Sequence, residues 1–417
     1  MTPAALTKNE MTDGTQSQLT HVAGGVTAAE GFRSAAVRAG LKKEGLDLVL
    51  IVADEPAAAA GVFTTNKATA APVVVSREHL GRSGGVAKAI AVNSGCANAC
   101  TGEAGMTAAR DMAAATASVV GCPLEETLIA STGVIGLLLD TNAVVGGLQT
   151  AATGLRSDAS HDAATAIMTT DPSPKETAVR VRTSQGTFVI GGMAKGAGMI
   201  EPMMATMLGF ITTDARIDPV RLRQALVSVC DRTFNAITVD GECSTNDSVF
   251  LLASGQSGVD IDDAQWPHFM AGLEAVAGTL ARDIVRGGEG ATKLVAVEVT
   301  GAATPEDANR AARAIANSPL VKTAIHGSDP NWGRLIAVAG RAGVAFELAT
   351  AAVRVGPVTL FANDAVYADR EPEAAAHLKG REVDIGVDLG TGGSSEATVW
   401  TCDLSAEYVR INADYRT

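Results

Sequence analysis

The chain has 417 residues, of which 47% are hydrophobic, 19% charged and only 4% aromatic, and its formal net charge is −13. That length and apolar content suit a globule of two or three structural units. The acid excess argues against nucleic acid or an anionic membrane as the main partner, since both need a basic face.

In chain order, residues 1–21 are polar and read as a flexible extension, with no charged-then-apolar leader. Segments 46–52, 59–63 and 87–92 are rich in β-branched and aliphatic residues and predict strands. Asn93-Ser-Gly-Cys-Ala-Asn-Ala-Cys-Thr-Gly102 follows the last of these, and is either a site wall at a strand end or a solvated loop. The Ala-rich stretch 104–120 has helical spacing and closes at Gly121. Ser131-Thr-Gly-Val-Ile-Gly136 follows apolar Leu128-Ile-Ala130. A Thr-Gly pair there can aim a hydroxyl and a backbone N–H at one point, as an oxyanion hole requires; the other reading is a plain turn. Segment 162–168 predicts a short helix stopped by Pro172. Segments 179–182 and 187–190 flank Ser184-Gln-Gly186 as a hairpin.

The most informative stretch comes next: Lys195-Gly-Ala-Gly-Met-Ile-Glu-Pro-Met-Met-Ala-Thr206-Met-Leu-Gly-Phe210. It sets one hydroxyl residue, Thr206, in a nearly apolar run, where an unsatisfied hydroxyl costs roughly 1–3 kcal/mol. Thr206 is either a hydrogen-bonded core threonine in a strand-to-helix segment or a nucleophile. A threonine nucleophile ordinarily uses its own α-amine as base. The catalytic reading therefore demands a chain break between Ala205 and Thr206.

Further on, Asp218-Pro219 opens a helix running to about Cys230. Asp240-Gly-Glu-Cys-Ser-Thr-Asn-Asp247 is a site wall or an Asx-rich turn. A helix is expected over 262–285, a strand over 295–299, and an amphipathic helix over Pro305–Ala316 capped by Thr304. Gly327-Ser-Asp-Pro-Asn-Trp-Gly-Arg334 reads as a rigid loop, and strands follow at 383–387 and 398–402. Strands and helices in blocks favour layered sheets with helices outside over a dinucleotide-binding sheet. Gly81-Arg-Ser-Gly-Gly85 matches a bare nucleophile-elbow pattern without a preceding strand, and Gly390-Thr-Gly-Gly-Ser lacks the third glycine of a dinucleotide loop. Cys96 and Cys100 stand four residues apart, but no second pair lies at zinc-finger distance and the six histidines show no metal spacing, so no metal is expected. With no Walker loop and no dinucleotide loop, no cofactor is expected either.

Together these segments resemble the glutamate N-acetyltransferase family, the ornithine acetyltransferases of arginine biosynthesis. The likeness runs from about residue 22 to the end. It is carried by Gly24-Gly-Val-Thr-Ala28, Gly31-Phe32, Gly61-Val-Phe-Thr-Thr-Asn66, Met168-Thr-Thr-Asp171, Glu289-Gly-Ala-Thr-Lys293 and the segments 93–102, 131–136, 192–210, 240–247 and 327–334. The chain departs from the family pattern at Met203, often Asn, and at Glu201, often a small residue.

The resemblance implies an α/β fold, an αββα layered sandwich with a C-terminal α/β lobe. Residues 22–205 would precede the self-cleavage point, 206–300 complete the core, and 301–417 form the lobe, its tail returning to the site. The implied activity is acetyl transfer from N2-acetylornithine to glutamate through acetyl-Thr206, in a cytoplasmic α2β2 enzyme; acetyl-CoA as a further donor is left open. Thr206 would be the nucleophile freed after Ala205, and Thr132 and Gly133 the oxyanion hole. Thr169, Lys195, Thr206, Glu289, Asn412 and Thr417 would contact substrate. The competing readings are a self-cleaving amidohydrolase or aminopeptidase of the same fold, and a non-catalytic amino-acid-binding protein.

Overall fold

A computed structural model describes residues 18–201 and 207–414; Met203, Ala205, Thr206 and Thr417 lie outside the described residues. The first body comprises β1 (Gln18–Val22), β2 (Phe32–Val37), β3 (Leu48–Phe63), α1 (Ala71–Arg82), β4 (Val86–Cys96), α2 (Gly102–Val120), β5 (Thr127–Val134), α3 (Thr141–Thr153), α4 (Ser160–Ala166), β6 (Lys175–Thr183), β7 (Gly186–Lys195), β8 (Leu208–Thr213), α5 (Pro219–Arg232), β9 (Ser248–Ala253) and α6 (Trp266–Arg286). Its strands form one hydrogen-bonded sheet in the order β1-β6-β7-β8-β9-β3-β4-β5, with β2 paired to β3.

Strand β3 makes this sheet double. The sequence predicts two strands, 46–52 and 59–63, but the chain runs through as one of 16 residues. Its first half pairs with β2 and β4, its second half with β9, and the register shifts between Val52 and Ala57. Pro56, in the exposed stretch 54–56, lacks an N–H to donate and is tolerated at such an irregularity. The strand bends instead of stopping, and the sheet folds over on itself.

Side chains alternate across a strand, so each layer has two faces to bury. Ile51, Ile90 and Leu128 face Met193, Phe210, Phe250 and Leu252 between the layers, and the Phe210 and Phe250 rings stack at 5.9 Å. On the outer face of the first layer, Leu48, Leu50 and Ile129 pack beneath Val75, Met112 and Leu148 of α1, α2 and α3. On the outer face of the second, Val181, Ile190 and Leu251 pack beneath Leu226, Phe269 and Leu280 of α5 and α6. The order is helix, sheet, sheet, helix, which is the expected αββα sandwich.

Local signals behave as their chemistry requires. The Asp218 carboxylate accepts from the Val220 and Arg221 N–H groups, both at 3.0 Å, to start α5. Gly121 ends α2 at φ +72°. Residues 18–21, expected within a flexible extension, belong instead to β1, which pairs antiparallel with β6 along its whole length.

The second body comprises β10 (Leu294–Ala302), α7 (Pro305–Ala316), α8 (Pro319–His326), α9 (Trp332–Gly340), β11 (Ala352–Val355), β12 (Val358–Ala362), β13 (Ala365–Val366), α10 (Glu371–Leu378), β14 (Glu382–Asp388), β15 (Ser395–Cys402) and α11 (Ala406–Asp414). Its sheet order is β13-β12-β11-β14-β10-β15. Val295, Val297 and Val299 pack in this lobe's core with Ala311 and Ile315. The passage between the bodies therefore falls before Leu294, not at the expected 300/301. The partners that draw β10 into the lobe, β14 and β15, lie far downstream. The Thr304 side chain accepts from Asp307 N–H at 3.1 Å and caps α7 as predicted.

Candidate active site

A cleft enclosing about 150 Å³ is lined by Thr132, Gly133, Thr169, Lys195, Glu289 and Asn412. These are all the nominated site residues that fall within the described chain. Met207 and Leu208, where β8 begins, also line it, as do Asp240, Asp247 and Tyr408.

Thr132 and Gly133 stand near the end of β5, in parallel register with Ser94 and Gly95 of β4. Gly133 has φ +126°, and a methyl group there would lie 2.4 Å from the Gly95 carbonyl carbon, so only glycine fits. Buried amides hold the surrounding strand ends. Asn246 Nδ2 donates to the Ala97 and Ser131 carbonyls at 2.6 and 2.9 Å. Asn93 Nδ2 donates to Cys96 O at 2.9 Å while its Oδ1 accepts from Ser131 Oγ at 2.6 Å. The polar residues of segments 93–102 and 240–247 thus build the frame beneath the Thr-Gly pair.

Lys195, half-buried at the last position of β7, donates from Nζ to Thr132 Oγ1 at 3.1 Å. Removal from water lowers its pKa, and the Asp171, Glu289 and Asp247 carboxylates oppose that shift. Asp171 sits behind it. Its Oδ1 accepts from Lys175 Nζ at 2.5 Å and from Gly196 N–H at 2.7 Å, and its Oδ2 accepts from Thr169 N–H at 3.1 Å. Burial alone would raise the Asp171 carboxyl, but Lys195, Lys175 and the Gly196 N–H outweigh it and bring the pKa to about 2.

Glu289 is buried and accepts from Asn412 Nδ2 on α11 at 2.8 Å. It can approach because Gly198 has no side chain: a methyl there would lie 2.4 Å from Glu289 Oε2. Asp240 Oδ2 and Oδ1 accept from the Met199 and Ile200 N–H groups at 2.7 and 2.8 Å, and Tyr408 OH donates to Oδ2 at 3.2 Å. This clamp holds Met199 at φ +56°, a conformation few non-glycine residues adopt. Glu201 accepts from Asn317 Nδ2 at 2.6 Å and lies 3.7 Å from Arg313, tying the run to the lobe.

Asp247 is 2% exposed and immediately precedes β9. Burial pushes its carboxyl well above the usual carboxylate range and Cys243 adds to this, against the Met207 N–H, the Ser244 hydroxyl and Lys195. Sequence reasoning left Asp171, Asp240, Asp247 and Tyr408 without roles. The first three stood inside motifs singled out for other reasons, while nothing local marks Tyr408. Segment 327–334 does not line the cleft. Trp332 stacks on Phe361 at 5.1 Å, and Arg334 donates to Leu320 O at 2.6 Å. Asn331 caps α9, so the expected loop gives way to helix at Trp332. Among the described residues no His, Cys, Asp and Glu cluster could hold a metal ion, and no helix is long and apolar enough to cross a membrane.

A model of the ArgJ family matches residues 33–417. The arginine biosynthesis bifunctional protein ArgJ of Dehalococcoides mccartyi is 47% identical over 400 residues, covering 94% of this chain and 98% of that protein. Its namesake in Symbiobacterium thermophilum is 47% identical over 403 residues, covering 95% and 99%. A crystal structure of ornithine acetyltransferase complexed with ornithine, from Mycobacterium tuberculosis, is 37% identical with a TM-score of 0.42, covering 45% of this chain and 100% of that one. With the family model and full-length relatives matching across nearly all of its residues, the chain belongs to the ArgJ family.

Proposed function

We propose that this protein transfers an acetyl group from N2-acetylornithine to glutamate through an ester on Thr206, after cutting its own chain between Ala205 and Thr206. One observation carries the reading. A Thr-Gly pair, a lysine and a carboxylate–amide pair converge on a cleft of amino-acid size, and Met207 and Leu208, the first described residues after position 206, line that cleft. Family membership and the names of the full-length relatives support the same pathway.

Cleavage comes first. The Thr206 hydroxyl attacks the Ala205 carbonyl, the acyl group shifts from nitrogen to oxygen, and water hydrolyses the ester. The freed α-amine, with an ordinary pKa of about 7.7–8.0, then serves as base for its own hydroxyl. In turnover, Thr206 attacks the acetyl carbonyl of N2-acetylornithine and ornithine leaves. The amine of glutamate then takes the acetyl group. The Thr132 hydroxyl and Gly133 N–H hold the oxyanion of both tetrahedral intermediates. Lys195 and Glu289 anchor the carboxylate and ammonium of the amino acid, while Thr169, Asn412 and Thr417 close the pocket. The chain supplies every group this sequence uses, so no cofactor is required. Acetyl-CoA as a second donor, an α2β2 assembly of the cut chains and a cytoplasmic location complete the proposal.

Denaturing gels test the first step: two fragments split at 205/206 for the unaltered protein, one intact chain for Thr206→Ala. Mass spectrometry of rapidly quenched enzyme mixed with N2-acetylornithine tests the second, with an acetyl adduct expected on the fragment beginning at Thr206. An unmodified fragment sinks the covalent step. Comparing acetyl-CoA with N2-acetylornithine as donor to glutamate decides between one activity and two.

A further inference from the structure

The proposed transfer leaves one proton unassigned in each half of the cycle. The α-amine of Thr206 can pass the hydroxyl proton to the departing nitrogen, which makes a neutral amine. Ornithine, however, leaves stably as an ammonium, and glutamate arrives as one. Solvent can make up this difference, or a group in the cleft can supply one proton during acylation and take one during deacylation.

Asp247 has the attributes of that group. It lines the cleft, is 2% exposed, and its Oδ2 has no hydrogen-bond partner among the described residues. A buried carboxylate oxygen without a donor is costly as an anion and comfortable as an acid. The backbone around it is fixed: Thr64 N–H donates to Asp247 O at 2.9 Å, and Ser248 N–H donates to Met207 O at 3.1 Å. These bonds and the parallel register of β8 with β9 set Asp247 beside Met207, one residue beyond position 206. The titratable groups near it are Cys243 and, across the cleft, Lys195, with Asp240, Glu242, Glu289 and Tyr408 around the rest of the lining.

We propose that Asp247 is a further catalytic residue, alternating between acid and carboxylate once per cycle and exchanging its proton with the amino group of the bound amino acid. The inference rests on the acetyl-transfer reading. In acylation the C–N bond of the acetamide breaks and the Thr206 ester forms. The hydroxyl proton reaches the nitrogen through the α-amine, and Asp247 gives the second proton, so ornithine departs as an ammonium and Asp247 is left ionised. In deacylation Asp247 takes one proton from the ammonium of glutamate. The resulting amine attacks the ester, a C–N bond forms, the ester C–O bond breaks, and the remaining proton returns to Thr206 through the α-amine. The cycle closes with no proton exchanged with solvent.

The decisive experiment uses preformed acetyl-enzyme and two acceptors at pH 7: glutamate, which must lose a proton before attacking, and hydroxylamine, which is already neutral. Loss of the acetyl mass from the fragment beginning at Thr206 gives both rates. Asp247→Asn is expected to lower the glutamate-to-hydroxylamine rate ratio by roughly 100-fold. The loss should shrink as rising pH deprotonates glutamate in solution, and Asp247→Glu should restore the ratio. A ratio unchanged in Asp247→Asn overturns the assignment, whereas failure of the unaltered enzyme to form an adduct overturns the transfer reading beneath it. Should Asp247→Asn not fold, a proton count on unaltered enzyme keeps the idea exposed. With an indicator dye in weak buffer and rapid mixing, no proton should be taken up in phase with acetyl transfer to the enzyme. Uptake of one proton per acetyl group overturns it.

Discussion

Lys195 Nζ donates a hydrogen bond to Thr132 Oγ1 across 3.1 Å. An ammonium has only donors, so the hydroxyl must accept there, and its own hydrogen stays available for a second partner. A threonine hydroxyl pointing a fixed donor beside the Gly133 N–H is what the oxyanion role needs. Thr132→Ala is expected to lower kcat about 100- to 1000-fold, the usual effect of losing one such donor. Lys195→Met should lower kcat less and also raise KM. In the Thr132→Ala background the kcat effect of Lys195→Met should vanish, because the hydroxyl it orients is gone. Independent, additive kcat losses across the double-mutant cycle would falsify the orienting role.

Gly133→Ala is the sharper steric test. The new methyl would meet the Gly95 carbonyl carbon at 2.4 Å with the backbone at φ +126°. The strained backbone alone costs about 1–3 kcal/mol and the clash adds to it. We expect a lower Tm and loss of transfer, read by calorimetry and an ornithine-release assay. A variant with native Tm and full rate would show that the strand ends can part at no cost.

Asp171, its carboxyl held low by Lys195 and Lys175, makes stability depend on pH. The folded carboxyl titrates at about 2, below its unfolded value of about 3.9. A lowered pKa stabilises the fold above the unfolded value. That contribution fades as pH falls from about 4 towards 2. Asp171→Asn leaves Lys175, only 4% exposed, without its counter-charge, and should cost about 3–5 kcal/mol at neutral pH. Urea melts at pH 7 and pH 3 check this: the gap between the two proteins should narrow at the lower pH.

Asn412→Asp sets a carboxylate where an amide now donates to Glu289 at 2.8 Å. The repulsion should disturb how Glu289 meets an incoming ammonium and raise KM for N2-acetylornithine about tenfold, equal to about 1.4 kcal/mol, with little change in kcat. An unaltered KM removes Asn412 from the binding site.

What could be read from the sequence was whatever is written locally. The Thr304 cap, the Asp218-Pro219 helix start and the 186-centred hairpin need only neighbours a few residues apart, and each appears where its chemistry put it. Thr132 and Gly133 stood out as a Thr-Gly pair at a strand end, Thr169, Lys195, Glu289 and Asn412 were nominated by likeness to a family, and their meeting in one cleft required the fold. Distant pairing stayed hidden. The continuity of β3 through Pro56 depends on β9, whose residues come nearly 200 positions later. The drawing of β10 into the lobe depends on β14 and β15. Asp240 could be read as part of a site wall or of an Asx-rich turn, and the sequence could not decide because the amides it clamps belong to another motif.

The place of β8 and β9 in the sheet, between β7 and β3, has a consequence for the chain if it is cut as proposed. A cut after residue 205 assigns both middle strands to the downstream piece and every strand flanking them to the upstream piece. Each fragment alone would carry raw edges on the inside of its structure, with no surface to retreat to. The two pieces should migrate as one species in native gels, separate only on denaturation, and fail to reassemble when produced apart, so that the proposed scission would act as a ratchet.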